Sequence, residues 1–221
     1  MLFQIMQHEI KINKTAIYHT LGEVKTAQTI WIVLHGYGYL AEFFIKKFNP
    51  ISNDSTAIIA PEGLSKFYLN GVGVDGKMGA SWLTKNNRET EIDDYIKYLD
   101  QLYKAIIEEN ETTDLKINVV GFSQGGATAS RWIANQKSKC DNFILWASSF
   151  AEEIDLEALS KNKKVFVLFG DADKFIREEQ VNTYEELLAS SKIECQLIRF
   201  EGKHDIPKEV LLEQTKINNW Q

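Results

Sequence analysis

Short apolar runs alternate with segments of helical spacing along most of the chain. The apolar runs are continuous and rich in β-branched residues, which is typical of strands covered on both faces. They cover residues 29–34, 56–61, 117–120, 142–147, 164–169 and 193–200. Helices are predicted over residues 41–48, 89–109, 176–191 and 210–220, and directly after the glycine-rich turn at 121–125. This order predicts an α/β fold, with a mostly parallel sheet of about seven or eight strands and helices on both faces.

Two segments depart from this alternation. Residues 3–12 and 15–20 alternate apolar and polar side chains around Asn13 and Lys14, which predicts an antiparallel hairpin at the leading edge of the sheet. Residues 64–85 contain several glycines and have poor periodicity, which predicts a long irregular loop. Loops of this length are usually functional or mobile, so a lid role is left open.

Composition indicates an ordinary globular protein, expected to form a single domain over residues 1–221. With 31 acidic and 25 basic residues the net charge is −6, which weighs against a nucleic-acid partner. We see neither a secretory signal nor an apolar stretch long enough for stable membrane insertion. The two cysteines lack metal-ligand or redox spacing, which predicts reduced thiols and a cytoplasmic location. The sequence does not distinguish a monomer from a homodimer.

The candidate chemistry begins at Gly121-Phe122-Ser123-Gln124-Gly125, which matches the G-x-S-x-G nucleophile elbow. An elbow holds its serine in a tight turn from strand to helix, so the positions two before and two after it need minimal side chains. A glycine-rich turn that merely joins two elements is the alternative interpretation. The apolar run before the turn and the small residues after it favour the elbow, because they allow a helix to press closely on a sheet.

A serine nucleophile needs an imidazole to take its proton and a carboxylate to orient that imidazole. Both follow later predicted strands: Asp171 and Asp173 come after the run at 164–169, and His204 comes after the run at 193–200. In open α/β sheets the site lies beyond the carboxyl ends of the strands, which would bring these side chains to Ser123. The order serine, acid, histidine is that of the α/β-hydrolases. His204 as a plain loop residue is the alternative.

Four pieces carry a family resemblance: LHGYG at 34–38, GFSQGG at 121–126, FGDAD at 169–173 and GKHD at 202–205. Together they resemble the α/β-hydrolase superfamily, and within it the carboxylesterase/phospholipase group that includes acyl-protein thioesterases. The resemblance covers nearly the whole chain. It implies an α/β-hydrolase fold without a large cap domain, and hydrolysis of a small-molecule ester or thioester with no cofactor and no metal.

Carried onto this chain, the resemblance makes Ser123 the nucleophile, Asp173 the acid and His204 the base. It also makes the backbone N–H groups of Tyr37 and Gln124 the oxyanion donors. Asp171 competes with Asp173, but the family pattern G-D-x-D favours the second aspartate and leaves the first as a turn-capping residue. His35, which ends a strand ahead of the nucleophile, is given a structural role by the resemblance: its ring fixes the oxyanion loop.

The chain departs from the family pattern at three places near the site entrance. Tyr39 follows the oxyanion glycine where an aspartate is common, Phe169 precedes the acid motif where a histidine is usual, and Asp205 follows the base where a small residue is usual. None of them removes a catalytic atom, so they bear on the substrate rather than on the triad. Substrate contacts are predicted for Trp82, Phe67 and Phe150, with core packing or local anchoring as the alternative.

These residues predict a serine carboxylesterase, with lysophospholipase-like activity included. An acyl thioesterase would use the same residues and differ only in its leaving group. A protein of another class, a non-catalytic small-molecule-binding protein that retains the hydrolase fold, is disfavoured by the complete Ser123, Asp173 and His204 set.

Overall fold

The computed structural model describes residues 5–135, 137–161, 163–176, 178–190 and 195–221. Within them, seven strands form one sheet in the order β1-β3-β2-β6-β7-β8-β9, and two further strands, β4 and β5, form a separate hairpin. The strands are β1 Tyr18–Leu21, β2 Thr29–Leu34, β3 Thr56–Pro61, β4 Ser65–Tyr68, β5 Met78–Ser81, β6 Lys116–Phe122, β7 Asn142–Trp146, β8 Lys164–Gly170 and β9 Cys195–Phe200. Only β1 runs antiparallel in the large sheet, whose other described strands pair in parallel.

The helices cover both faces of this sheet. They are α1 Ala41–Phe44, a 3₁₀ helix at Ile45–Ile51, α2 Arg88–Glu109, α3 Gln124–Ala134, α4 Leu156–Ser160, α5 Glu178–Ser190 and α6 Lys208–Ile217. Side chains of α2 to α5 pack with Ile30, Ile32 and Leu34 of β2 on one face. Side chains of α1, the 3₁₀ helix and α6 pack with Trp31 and Val33 on the other face. The alternation along β2 therefore divides one strand between two cores.

Parallel pairing aligns the carboxyl ends of the strands that carry the candidate residues. In the central pair, Leu34 at the end of β2 lies opposite Gly121 of β6. Phe122 of β6 lies opposite Trp146 of β7, and Gly170 of β8 lies opposite Phe200 of β9. The turns after β2, β6, β8 and β9 consequently open at one edge of the sheet, as the α/β topology requires.

The predicted N-terminal hairpin is wrong. Residues 5–17 form neither helix nor strand, whereas Tyr18–Leu21 pairs antiparallel with β3. The first part of the prediction, Phe3 and Gln4, lies outside the described residues. Alternation was a correct signal for β1, but its strand partner is β3 and not the segment before it. Residues 5–17 are attached instead by side chains, for example by a bond from Gln7 Nε2 to Asn87 Oδ1 of 3.1 Å.

The loop predicted at residues 64–85 is also wrong in part, because β4 and β5 pair within it as an antiparallel hairpin. Each strand has four residues, too few for a clear period to stand out among the neighbouring glycines. The helix predicted at 41–48 is α-helical only to Phe44 and continues as the 3₁₀ helix. The short helix α4 was not predicted; Asp155 caps it by accepting bonds from the N–H groups of Glu157 and Ala158.

The remaining predictions are confirmed to within a few residues. Helix α2 begins at Arg88 and ends at Glu109, and the buried strands at 29–34 and 56–61 have the predicted bounds. Helix α5 ends at Ser190 and β9 begins at Cys195. The predicted ends at 191 and 193 lie outside the described residues. The closing helix starts slightly earlier than predicted, at Lys208, and ends at Ile217.

Candidate active site

Ser123 stands in a sharp turn between β6 and α3. Its backbone has φ 52° and ψ −122°, a conformation that costs a residue with a side chain on the order of 1–3 kcal/mol unless its surroundings hold it. The surroundings do so through hydrogen bonds on both sides. The Ser123 N–H donates to Trp146 O at 3.1 Å, and its carbonyl accepts from Gly126 N at 2.9 Å and from Ser148 Oγ at 2.6 Å.

The elbow glycines are required by close packing. A Cβ on Gly121 would lie 2.4 Å from Gly126 Cα, and a Cβ on Gly125 would lie 2.3 Å from Leu34 O. Both distances are far below van der Waals contact, and both partners are backbone atoms that cannot swing aside. Helix α3 therefore approaches β2 and β6 only because these positions lack side chains, and that approach fixes where Ser123 stands.

Asp173 and His204 form a hydrogen-bonded pair between the turns after β8 and β9. Asp173 Oδ2 lies 2.8 Å from His204 Nδ1, and the aspartate side chain is fully buried. The other carboxylate oxygen, Oδ1, accepts from Phe175 N at 2.8 Å. With both oxygens occupied, the carboxylate has one orientation, and it fixes the imidazole so that Nε2 is left for another partner. In the described part of the chain no hydrogen bond joins that imidazole to Ser123.

Asp171 has a different task. Its Oδ1 accepts from Gly202 N at 3.0 Å, and its own N–H donates to Phe200 O at 3.0 Å. These bonds tie the turn after β8 to the turn after β9, so Asp171 positions the two loops that carry Asp173 and His204. It makes no hydrogen bond to the imidazole among the described residues.

The loop after β2 carries the N–H of Tyr37, and the N–H of Gln124 begins helix α3. Across the described residues neither group donates to a protein acceptor. Gly38 N donates to Ala80 O at 2.9 Å and Tyr39 N to Gly36 O at 3.2 Å, so the loop around Tyr37 is held. The Gln124 side chain turns away to Ser81 and Leu83, which leaves only its backbone N–H for the site. Two donors of this kind can stabilise an oxyanion.

His35 supports this loop from inside the core. Its side chain is fully buried, Nε2 accepts from Gly63 N at 2.9 Å, and Nδ1 lies 2.8 Å from Gly36 O. Because Nε2 accepts from an N–H, Nδ1 must carry the proton and donate to Gly36. Burial lowers the pKa of His35, whereas the Gly36 carbonyl and Glu62 oppose that shift. The ring is thus a neutral group that positions the loop after β2.

A family model for phospholipases and carboxylesterases matches residues 14–217 of the chain. The chain belongs to the phospholipase/carboxylesterase family. A comparison with curated protein sequences finds no match. Solved structures share the fold at low identity: acyl-protein thioesterase 2 from Zea mays is 16% identical, with 93% of this chain and 98% of that one covered and a TM-score of 0.67. For the carboxylesterase from Bacillus cereus the identity is 14%, the coverage 95% and 96%, and the TM-score 0.67.

Ser123 and His204 of this family member line one open cavity of about 620 Å³. Most of its other lining residues were not predicted, because they come from separate turns, helices and a strand that only the fold brings together. Apart from Gln124 and Ile176 they are aromatic or small: Tyr37, Tyr39, Phe122, Ala127, Ala147, Ser148, Ser149, Phe175 and Tyr184. The chain thus combines the α/β-hydrolase fold of a family that acts on esters with a cavity that can hold a small organic molecule.

The three residues predicted to touch substrate are not among those that line this cavity. Trp82 is 1% exposed, and its Nε1 donates to His35 O at 2.8 Å, so it packs in the core under the loop after β2. Phe67 stacks on Tyr37, with ring centroids 5.0 Å apart. Phe150 packs on Tyr184 at 5.9 Å. Each supports a group of the cavity wall, and none of the three forms the wall itself.

The three residues that depart from the family pattern lie in different surroundings. Tyr39 lines the cavity and packs edge-on against Phe122. Phe169 is buried in the core on the α2 to α5 face of the sheet. Asp205 pairs with Lys47 of the 3₁₀ helix at 2.5 Å, while its carbonyl accepts from Trp146 Nε1 at 2.9 Å. Of these three, only Tyr39 lines the cavity.

The described residues contain no group of three or more histidine, cysteine, aspartate or glutamate side chains arranged to hold a metal ion. No helix among them combines the length and apolar character needed to cross a membrane.

Proposed function

We propose that the chain is a serine carboxylesterase, with Ser123 as nucleophile, His204 as general base and acid, and Asp173 as the orienting carboxylate. The observation that carries the proposal is the 2.8 Å bond between Asp173 and His204, made at a cavity whose wall also contains the strained Ser123. The bond occupies His204 Nδ1, so the other ring nitrogen, Nε2, is left to act on the substrate side. A turn without chemistry would not need a buried carboxylate aimed at a partly exposed imidazole.

In the first half of the reaction, His204 Nε2 removes the proton from Ser123 as Oγ attacks the ester carbonyl carbon. A tetrahedral intermediate forms, with negative charge on the former carbonyl oxygen. Its collapse breaks the bond to the alcohol oxygen, which takes the proton from His204 and leaves. The acyl group remains on Ser123 as an ester.

In the second half, water replaces the alcohol. His204 accepts a proton from the water as it attacks the acyl carbon, and then returns that proton to Ser123 Oγ when the acid departs. Asp173 keeps the protonated imidazole in place during both halves, since its buried carboxylate faces Nδ1. Atoms and charge balance with ester and water alone.

The N–H groups of Tyr37 and Gln124 are proposed to receive the developing oxyanion. Both are free of protein acceptors in the described structure, and Gln124 begins an α-helix, where the backbone dipole favours negative charge. Fixed donors need not reorganise as the charge forms. Loss of one such donor typically lowers the rate by about 10²–10³.

The test is hydrolysis of a small activated ester by wild type and by Ser123→Ala, with the fold checked by circular dichroism. We expect the variant to keep its fold and to lose on the order of 10⁴-fold or more in kcat, because the acyl-enzyme cannot form. An Ala variant that retains wild-type-like turnover would show that Ser123 is not the nucleophile.

An acyl thioesterase is the second candidate, and the structural likeness to the thioesterase from Zea mays supports it. The proposed residues serve both reactions, because only the leaving atom changes from oxygen to sulfur. Paired kinetics on an oxygen ester and a thioester of the same acid would separate the two. A kcat/KM that favours the thioester far beyond its greater intrinsic reactivity would replace the esterase assignment.

A further inference from the structure

Three aromatic side chains stand at the open side of the cavity with much of their surface exposed. Phe175 is 74% exposed, Tyr37 60% and Tyr39 37%. All three line the cavity that contains Ser123 and His204. A large apolar side chain left in solvent beside a reactive group is an informative exception, since such surfaces commonly mark ligand-binding sites.

Phe175 is positioned by the same contacts that build the acid–base pair. Its N–H donates to Asp173 Oδ1 at 2.8 Å, and its ring centroid lies 4.7 Å from that of His204, with the planes inclined by 56°. Phe122 contacts the same imidazole, at 5.0 Å between centroids. Phe175 is therefore the solvent-exposed ring next to the proposed base.

This position determines which half of an ester Phe175 would touch. In the proposed mechanism His204 gives its proton to the departing alcohol oxygen, so the alcohol must leave beside the imidazole. The oxyanion instead points toward the N–H groups of Tyr37 and Gln124. A group that extends the cavity from His204 outward therefore contacts the alcohol part of the substrate.

We propose that Phe175 is a stacking platform for the alcohol part of the substrate, and that the enzyme prefers esters of arylmethyl alcohols, whose planar ring lies against it. The inference rests on the proposed esterase function and names its substrate class. Flat aromatic groups gain from offset or edge-to-face contact beyond the area they bury, which a saturated ring of equal size does not. The nearby aliphatic lining is sparse, with Ala127, Ala147 and Ile176.

The experiment compares benzyl acetate with cyclohexylmethyl acetate, which differ in planarity but little in size. Each kcat/KM is divided by the rate of hydroxide-catalysed hydrolysis of the same ester, which removes intrinsic reactivity. We expect wild type to favour the benzyl ester by about 2- to 12-fold, the range that one aromatic contact supplies. The ratio is taken within one protein sample, so the folded fraction cancels.

The variants are Phe175→Leu, which removes the ring at similar volume, and Phe175→Tyr, which retains it. We expect the preference to fall to about one in the first and to persist in the second. Phe43→Leu is the matched control: Phe43 is also a largely exposed phenylalanine, but it lies on α1 beside Lys46 and does not line the cavity. Its ratio should equal that of wild type.

A second pair of substrates tests the assignment to the alcohol side. Methyl phenylacetate and methyl cyclohexylacetate carry the same two rings on the acyl side, where we expect no preference that depends on Phe175. Equal rates for the two acetates in wild type, or a ring preference that Phe175→Leu leaves intact, would overturn the proposal. So would a Phe175-dependent preference on the acyl side. Hydrolysis of none of the four esters would instead refute the esterase function.

Discussion

Two glycine-containing turns of the molecule contrast with each other. The elbow turn, residues 121–126, has three glycines, and a Cβ on any of them would collide with a neighbour at 2.4 Å or less. The tip of the β4–β5 hairpin, residues 69–77, also has three glycines, at φ values of 91°, 80° and 68°. Gly73 and Gly76 in that tip have no atom within 4 Å of an added Cβ.

The difference separates two reasons for glycine. In the elbow, a helix and a sheet approach so closely that no side chain fits, and that approach positions Ser123. In the tip, only the positive backbone φ angle favours glycine, and the surroundings are open. Glycine density alone therefore does not mark a site, because the two turns need glycine for different reasons. Substitutions in the two turns should consequently have different sizes of effect.

The largest effect is expected for Gly125→Ala. The new methyl group would meet the carbonyl oxygens of Leu34 at 2.3 Å and His35 at 2.6 Å, so α3 would have to move away from β2. We expect the free energy of unfolding to fall by about 3 kcal/mol or more. Urea denaturation measures this. Activity per folded molecule should also fall, because Ser123 moves with the helix. A loss below about 1 kcal/mol would mean that the elbow is less tightly packed than the distances indicate.

An intermediate effect is expected for His35, whose carbonyl oxygen faces Gly125. Protonation of its ring makes the stability of the protein depend on pH. The native state keeps this ring neutral, while the unfolded chain binds a proton as pH falls below about 6.5. The stabilisation is therefore complete above that pH and is lost as pH falls from 6.5 through the lowered pKa of the folded state. The slope contributed by this ring is at most about 1.4 kcal/mol per pH unit.

For His35, the free energy of unfolding is measured by urea denaturation at several pH values between about 7.5 and 5. This range spans the ordinary pKa of histidine. His35→Gln keeps an acceptor for Gly63 N–H but cannot take up a proton. The slope of its stability against pH should be smaller than that of wild type. The difference should correspond to the uptake of at most one proton on unfolding. Parallel curves for the two proteins would contradict the assignment of His35 as a buried neutral group.

The smallest effect is expected at the tip. Gly73→Ala introduces no collision, and its cost is only that of a left-handed residue, about 1–2 kcal/mol at most. The same urea experiment compares it directly with Gly125→Ala. A tip variant as destabilised as the elbow variant would remove the distinction between packing glycines and conformational glycines.

The sheet could be predicted from the sequence because strands buried on both faces leave continuous apolar runs. The runs ending at Leu34 and Pro61 had the correct bounds. The N-terminal hairpin could not, because alternation shows that a strand has one polar face but not which strand pairs with it. Tyr18–Leu21 pairs across the chain with β3, a non-local contact that no local pattern specifies.

The contact between Asp173 and His204 was predictable for a related reason. The two residues follow the ends of adjacent parallel strands, so topology brings their loops together, and the structure places the two side chains 2.8 Å apart. The choice of Asp173 over Asp171 came from the family pattern and not from topology. The cavity wall was not predictable, because it depends on where several turns and helices project their side chains. Trp82 and Phe150 were predicted as substrate contacts, yet they are buried and do not line the cavity. Phe175 and Tyr184 line it instead.

The most direct test of the proposed catalytic centre is covalent labelling with a fluorophosphonate, followed by peptide mapping. Wild type and Asp171→Asn should form one adduct, at Ser123, at similar rates, because asparagine retains the Oδ1 atom that accepts from Gly202 N. Asp173→Asn should label far more slowly, because the imidazole loses its orienting carboxylate. We expect no adduct in Ser123→Ala. Folded wild-type protein that fails to label, or that labels at another serine, would contradict the assignment of Ser123 as the nucleophile.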